Sequence, residues 1–120
     1  MSDVNGVMLS DDLIFFSRVA GTARANGLVV KQTRTADELL RRVGETNPGG
    51  VLLDLHNETL DLPAVLASLK TIGVRSIAYG SHVDAARLRS AREAGCDLVM
   101  PRSQFVDKLE TDLATWLKRG

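Results

Sequence analysis

Short apolar runs alternate along the whole chain with longer stretches whose apolar positions recur at helical spacing. A short apolar run bounded by polar residues or glycine is typical of a buried strand, whereas apolar positions three and four residues apart are typical of an amphipathic helix. The pattern predicts five strands, at residues 6–9, 28–30, 51–55, 76–79 and 97–100. It predicts a helix after each strand. Four of these helices are expected at 13–26, 62–72, 83–94 and 103–117, and the second helix is expected to begin at 35 and to end before a turn at 47–50.

The third strand indicates how these elements pack. The run from Val51 to Leu55 is apolar at every position except Asp54. An unbroken apolar run implies that both faces of the sheet are covered, as in a parallel sheet. Strands that alternate with helices through short links favour a doubly wound α/β fold. No linker, repeat or low-complexity segment interrupts the pattern, so one domain is expected over residues 1–120.

Capping residues at the predicted helix starts support this assignment of helices. Thr35 and Glu38 form a capping-box pattern, in which a hydroxyl and a carboxylate satisfy free amides at the start of a helix. Pro63 is compatible with the first turn of the third helix. Ser81, with Asp84 three residues later, is interpreted as the cap of the fourth helix.

Composition and charge exclude several classes of protein. The chain is 44% hydrophobic, which is enough for a globular core, and its fifteen basic side chains balance fifteen acidic ones. This balance, without a basic stripe, argues against binding to nucleic acid. No apolar run approaches the roughly 20 residues of a membrane helix, and the polar N-terminus is not a signal peptide. The single cysteine, Cys96, fits a reducing compartment, so a cytoplasmic location is expected.

Candidate chemistry is sought where parallel strands end, because open α/β sheets bind ligands at the carboxyl ends of their strands. The polar or glycine positions there are Ser10, Asp11, Asp12, Asp54, His56, Gly80, Ser81, His82, Arg102 and Ser103. Magnesium prefers one or two carboxylates together with water and phosphate oxygens. Asp11, Asp12 and Asp54 are therefore candidate magnesium ligands. His56 and His82 are interpreted as ordinary polar loop residues.

Over essentially its whole length the sequence resembles the receiver domain of bacterial two-component response regulators. The resemblance lies in the acidic cluster after the first strand, in the strand 51–55, and in the stretch from His82 to Asp97. It implies a flavodoxin-like (βα)5 fold, with a doubly wound five-stranded parallel sheet in three α/β/α layers. It also implies a role in phosphorelay signal transduction, with Asp54 at the phosphoacceptor position and Asp11 among the metal-binding acids.

The acidic pair of that family is incomplete in this chain. Counting back from Gly27, Ser10 falls where the first acid is usual, and Asp11 falls on the second. A shift of one residue would instead give Asp11 and Asp12 as the pair. Both alignments stay open.

The switch residues of the family also differ here. Counted from Gly95, Gly80 occupies the position of the small hydroxyl residue, with Ser81 one place later. Arg102 falls on the position of the phosphate-binding lysine, and Val99 on that of the switch aromatic. Glycine has no hydroxyl, arginine is a planar fork instead of a point charge, and valine has no ring to reorient. These changes together predict a degenerate pseudo-receiver in which Ser81 and Arg102 are the remaining phosphate-contact candidates.

Three functional hypotheses follow. The leading one is a non-enzymatic signalling module that works by protein–protein contact or self-association, independently of aspartyl phosphorylation. The resemblance suggests the face of the fourth helix, fifth strand and last helix for that contact. The first alternative is a genuine magnesium-dependent phosphoacceptor receiver that uses Asp54. The second is a domain that binds a small anion at Arg102 and the nearby helix N-termini.

Overall fold

The computed structural model of the chain describes residues 3–57 and 60–119. Its strands are β1 (Gly6–Leu9), β2 (Val30–Thr33), β3 (Gly50–Asp54), β4 (Arg75–Gly80) and β5 (Leu98–Pro101). Its helices are α1 (Leu13–Ala25), α2 (Ala36–Thr46), α3 (Leu62–Ile72), α4 (Ala85–Glu93) and α5 (Arg102–Trp116). Strand and helix alternate throughout, as the apolar pattern predicts.

All the strands belong to one parallel sheet, in the order β2-β1-β3-β4-β5. From β1 the chain moves outwards to β2, then crosses back to β3 and continues in the opposite direction. The strand order therefore reverses between β1 and β3, and a crevice is expected outside their carboxyl ends. This topology confirms the predicted flavodoxin-like (βα)5 fold.

Two apolar layers cover the sheet, one on each face. Successive strand residues point to opposite faces, so Val51 and Leu53 join the layer under α2, α3 and α4, whereas Leu52 joins the layer under α1 and α5. All three side chains are fully buried. The sheet is thus enclosed on both sides, as the unbroken apolar run predicts. Among the described residues no helix is long and apolar enough to cross a membrane.

The second strand lies further along the chain than the prediction of 28–30. The amide of Leu28 donates to the carbonyl of Ala23, which closes the end of α1, at 2.8 Å. The amide of Val29 donates to the side chain of Asn5 at 2.8 Å, and pairing with β1 begins only at Val30. The prediction was wrong because it followed the apolar residues, whereas β2 is an edge strand that also carries the polar Lys31.

Side-chain caps fix the starts of four helices. Thr35 accepts a hydrogen bond from the amide of Glu38 at 3.1 Å, which confirms the predicted start of α2. Aspartates at the N-caps of α1, α3 and α4 do the same, and the α4 cap is Asp84, which accepts from the amide of Arg87 at 3.1 Å. The interpretation of Ser81 as the cap was therefore wrong, because this residue precedes the turn that leads into the helix.

Candidate functional site

A cavity of about 480 Å³ opens at the carboxyl ends of β1, β3, β4 and β5. Its lining residues are Asp11, Asp12, Asp54, His56, Asn57, Tyr79, Gly80, Ser81, His82, Arg102 and Ser103. Most of the polar positions singled out at strand ends in the sequence therefore converge on one place. Two members of the lining, Tyr79 and Asn57, were not among them.

Asp54 is held by groups from two neighbouring loops. Its Oδ2 accepts a hydrogen bond from the Ser10 hydroxyl at 2.7 Å, and its Oδ1 accepts from the amide of His56 at 3.0 Å. Ser10 is fully buried, and its Oγ in turn accepts from the amide of Asp12 at 3.1 Å. Each carboxylate oxygen of Asp54 therefore has a donor from the chain itself.

The residues available for a metal ion are few. Ser10 contributes a neutral hydroxyl beside Asp54, at the place where the first alignment expects an acid. Asp12 caps α1 by accepting from the amide of Phe15 at 2.9 Å, while Asp11 lies exposed. Among residues 3–57 and 60–119, no group of three or more His, Cys, Asp and Glu side chains is placed to hold a metal. Mg²⁺ is usually held by one or two carboxylates together with water and phosphate oxygens, and the magnesium site stays a prediction.

Arg102 contacts Asp12 and the ring of Phe15. Its Nη2 lies 3.5 Å from Oδ2 of Asp12, and its guanidinium carbon lies 4.0 Å from the centre of the Phe15 ring. A guanidinium over an aromatic face is attracted by the negative charge of the ring surface. Within the described part of the chain, Arg102 forms its ion pair with Asp12 and none with Asp54. The cation at the position of the family's lysine therefore stabilises the junction between β1 and α1.

Gly80 and Val99 lie on the α4 side of the sheet. A Cβ at Gly80 would point at the side chains of Leu55 and Leu88, at 3.2 and 3.4 Å. Val99 is half-buried and packs against the same apolar layer. Ser81 is exposed, and its hydroxyl accepts from the amide of Val83 at 3.4 Å. None of these three positions supplies a side-chain hydrogen bond to Asp54 among the described residues.

Tyr79 carries a buried hydroxyl into the lining of this cavity. The residue is 2% exposed, and its hydroxyl makes no hydrogen bond of normal length and angle with the described residues. Burial and the negative charge of Asp54 raise the pKa of this hydroxyl above its ordinary value of 10.0. The sequence signal was a lone tyrosine at the end of a buried strand, where an aromatic body can be covered and its polar tip can meet a strand-end site.

Tyr79→Phe is expected to change the response of stability to alkaline pH. Because the pKa is raised in the folded state, the tyrosine contributes stability that is complete below pH 10.0 and is lost as the pH rises above it. The free energy of unfolding should then fall by about 1.4 kcal/mol more per pH unit in the protein with Tyr79 than in the variant. Burial raises the pKa of Cys96 as well, so both proteins should carry Cys96→Ala. Parallel urea-unfolding profiles between pH 9 and 11 would contradict the prediction.

A column of rings runs from the cavity through the α1–α5 layer. Tyr79 stacks on Phe15 at 5.2 Å between ring centres and contacts Phe105 at 4.4 Å. Phe105 stacks in turn on Trp116 at 5.4 Å. Trp116 is 5% exposed, so it is a core residue and not an exposed docking side chain. Cys96 is half-buried, and its raised thiol pKa fits the interpretation of a packing residue.

Arg87 ties α4 to the loop that follows Asp54. Its Nε donates to the carbonyl of Leu55 at 3.2 Å, and its Nη2 donates to those of Asn57 at 2.8 Å and Leu60 at 3.2 Å. Asn57 lines the cavity, so one half-buried guanidinium joins the candidate site to a helix on the α4 face. The sequence analysis did not identify Arg87, because nothing local distinguishes it from the other arginines of α4.

Comparison with known proteins agrees with this geometry at the level of the fold. No protein-family model and no curated protein sequence matches the chain. The receiver domain of NtrX from Brucella abortus is 21% identical, with a TM-score of 0.76 over 93% of this chain and 97% of that one. A response-regulator receiver domain from Bermanella marisrubri is 18% identical, with a TM-score of 0.80 over 98% and 100%. FixJ-N is 21% identical, with a TM-score of 0.72 over 92% and 93%. The chain therefore has the fold of response-regulator receiver domains.

Proposed function

We propose that this chain is a receiver-like signalling module that acts through protein–protein contact, without the usual aspartyl phosphorylation switch. The observation that carries the proposal is the 2.7 Å hydrogen bond from the Ser10 hydroxyl to Asp54. A second carboxylate at this place would repel Asp54 unless a cation lay between them, whereas a hydroxyl stabilises the Asp54 carboxylate directly. Asp54 therefore has a hydrogen-bond donor at each oxygen without a metal ion.

The residues at the other positions that phosphorylation would require also support this proposal. A phosphoryl group on Asp54 would need a cation close by, but Arg102 is engaged with Asp12 and the Phe15 ring. A phosphate-dependent switch would also need a movable hydroxyl on the α4 side, where the chain has Gly80. We therefore place Ser81 and Arg102 in structural roles, and we propose no catalytic residue.

The surface proposed for partner binding is the face formed by α4, β5 and α5. β5 is an edge strand of the sheet, and Leu98 at its start is 40% exposed. A free strand edge with an exposed apolar side chain is suited to association with another chain or with a second copy of this one. A cytoplasmic location is part of this proposal, in keeping with the single cysteine and the neutral charge balance.

An amide-resolved NMR titration with Mg²⁺ and then beryllofluoride tests the proposal. The wild type is expected to show no clustered shifts around Asp11, Asp54 and Ser81 at millimolar Mg²⁺. Ser10→Asp is the matched positive control, because it places a second carboxylate beside Asp54 and should create a millimolar Mg²⁺ site. Without Mg²⁺ the same variant should be about 1–2 kcal/mol less stable than the wild type, since two like charges then lie together.

One pattern of shifts would contradict this proposal. If the wild type responds to Mg²⁺ and beryllofluoride around Asp54, and Asp54→Asn abolishes the response, then the phosphoacceptor alternative is correct. The small-anion alternative has less support, because the cavity lining carries three carboxylates against one guanidinium.

A further inference from the structure

We propose that the mouth of the Asp54 cavity is a second docking surface, for a partner protein that inserts a lysine side chain beside Asp54. The inference rests on the proposed function, because it names the chemistry of a partner for a module that works by protein contact. Three independent features of the described residues support it: an excess of negative charge, a set of unused acceptors, and exposed apolar residues that follow lining residues in the sequence.

The charge of the cavity lining is unbalanced. The lining holds three aspartates, two histidines and one arginine, and this arginine, Arg102, forms its ion pair with Asp12. Asp54 accepts hydrogen bonds from the Ser10 hydroxyl and from the backbone amide of His56, and neither donor carries a charge. Two carboxylates are therefore left without a cationic partner among the described residues. A cleft with an excess of one sign of charge attracts a ligand of the opposite sign.

The acceptors in the cavity match an ammonium group. Each Asp54 oxygen accepts one hydrogen bond from the described residues and has a lone pair left for a second. Tyr79 lines the same cavity, and its buried hydroxyl lies near Ser10 and Asp54 but makes no hydrogen bond of normal length and angle with the described residues. A lysine head group offers three donors on a compact point charge, whereas a guanidinium is a wide planar fork that needs a parallel acceptor pair. The geometry therefore favours lysine over arginine.

Exposed apolar residues follow lining residues of the cavity in the sequence. The described residues include six large hydrophobic side chains that are exposed, and three of them come one or two positions after a lining residue. Leu13 and Ile14, which are 55% and 86% exposed, directly follow the lining residue Asp12; Val83, which is 79% exposed, directly follows His82. Isolated exposed apolar residues are ordinary on protein surfaces, but we infer that these three form an apolar rim around the charged cavity, which is the arrangement of an interface. We infer a partner segment in which the lysine is flanked by apolar residues.

Short peptides test this inference on the intact chain. The probe is an acetylated, amidated pentapeptide, Gly-Leu-Lys-Leu-Gly, and its matched control has glutamine in place of lysine. In an amide-resolved NMR titration, the lysine peptide is expected to shift Asp11, Ile14, Tyr79 and Val83, and the glutamine peptide to bind about tenfold more weakly, which corresponds to about 1.4 kcal/mol.

Two single substitutions test separately the contribution of the negative charge and that of the exposed apolar residues to peptide binding. Asp54→Asn and Ile14→Ser should each weaken the lysine peptide by about tenfold or more. Ile72→Ser is the control for the second change, because Ile72 is 45% exposed at the end of α3, away from the cavity lining. This variant should bind as the wild type does.

Three outcomes would overturn the inference: equal binding of the two peptides, shifts centred on the α4–β5–α5 face, or no shift with either peptide at millimolar concentration. Each of these leaves the proposed function standing if the Mg²⁺ and beryllofluoride titration of the wild type is silent. Conversely, a positive beryllofluoride response overturns the proposed function whatever the peptides do, so the two failures are distinguishable.

Discussion

Replacing Phe105 with alanine is expected to lower the free energy of unfolding by about 3–5 kcal/mol. Phe105 is fully buried and touches the rings of Phe15, Tyr79 and Trp116, at 5.9, 4.4 and 5.4 Å between ring centres. Its removal opens a void in the middle of the α1–α5 layer, and the rings on three sides of that void are too rigid to fill it. The loss therefore combines the transfer energy of the side chain with the cost of a cavity.

Urea unfolding followed by far-ultraviolet circular dichroism measures this effect. Phe16→Ala is the matched control, because Phe16 packs against the same apolar layer from a half-buried position. The control should lose less than half as much stability as Phe105→Ala. Equal losses in the two variants would show that the ring contacts of Phe105 add nothing beyond burial.

Arg87→Met is the second change with a large expected effect, a loss of about 2–3 kcal/mol of unfolding free energy. Methionine keeps the apolar stem of the arginine side chain but removes the donors to the carbonyls of Leu55, Asn57 and Leu60. Those carbonyls lie in the loop that follows Asp54, so the loop should also loosen. Amide hydrogen exchange at Leu55, His56 and Leu60 is expected to accelerate more than exchange in β1.

Arg89→Met provides the comparison for this variant. Arg89 lies two residues along the same helix, is exposed, and has no hydrogen bond or ion pair with the described residues. Its replacement should change stability by less than about 0.5 kcal/mol. If Arg87→Met behaves like Arg89→Met in both measurements, then the guanidinium does not fix the loop.

The elements that the sequence predicts well are those specified by local pattern. The third helix was predicted at 62–72 and lies at Leu62–Ile72, with Pro63 in its first turn. Its apolar positions, its capping Asp61 and its terminal Gly73 all lie within the segment itself. The bounds predicted for the second strand were wrong because they depend on a contact outside the segment. Its start depends on pairing with β1, and that pairing begins at Val30 instead of at the apolar Leu28.

For the candidate site, the sequence predicts which residues come together but not the contacts that their side chains make. That Asp54, Ser81 and Arg102 line one cavity follows from the parallel sheet, because the strands end at a common edge. The direction of each side chain does not follow from it. The bond from Ser10 to Asp54 spans 44 residues of sequence, and Arg87 reaches 27 to 32 residues back. Such contacts depend on how the layers pack, so an apolar pattern carries no signal for them.

The ring column also has a consequence for spectroscopy. The chain has one tyrosine and one tryptophan, and Tyr79 and Trp116 each contact Phe105. Their ring centres are therefore at most about 10 Å apart. At that separation, light absorbed by the tyrosine is passed to the tryptophan by resonance energy transfer, so the folded chain emits almost wholly as an indole. Tyrosine emission then appears only when β4 and α5 separate far enough to interrupt this transfer, with no label attached to the protein.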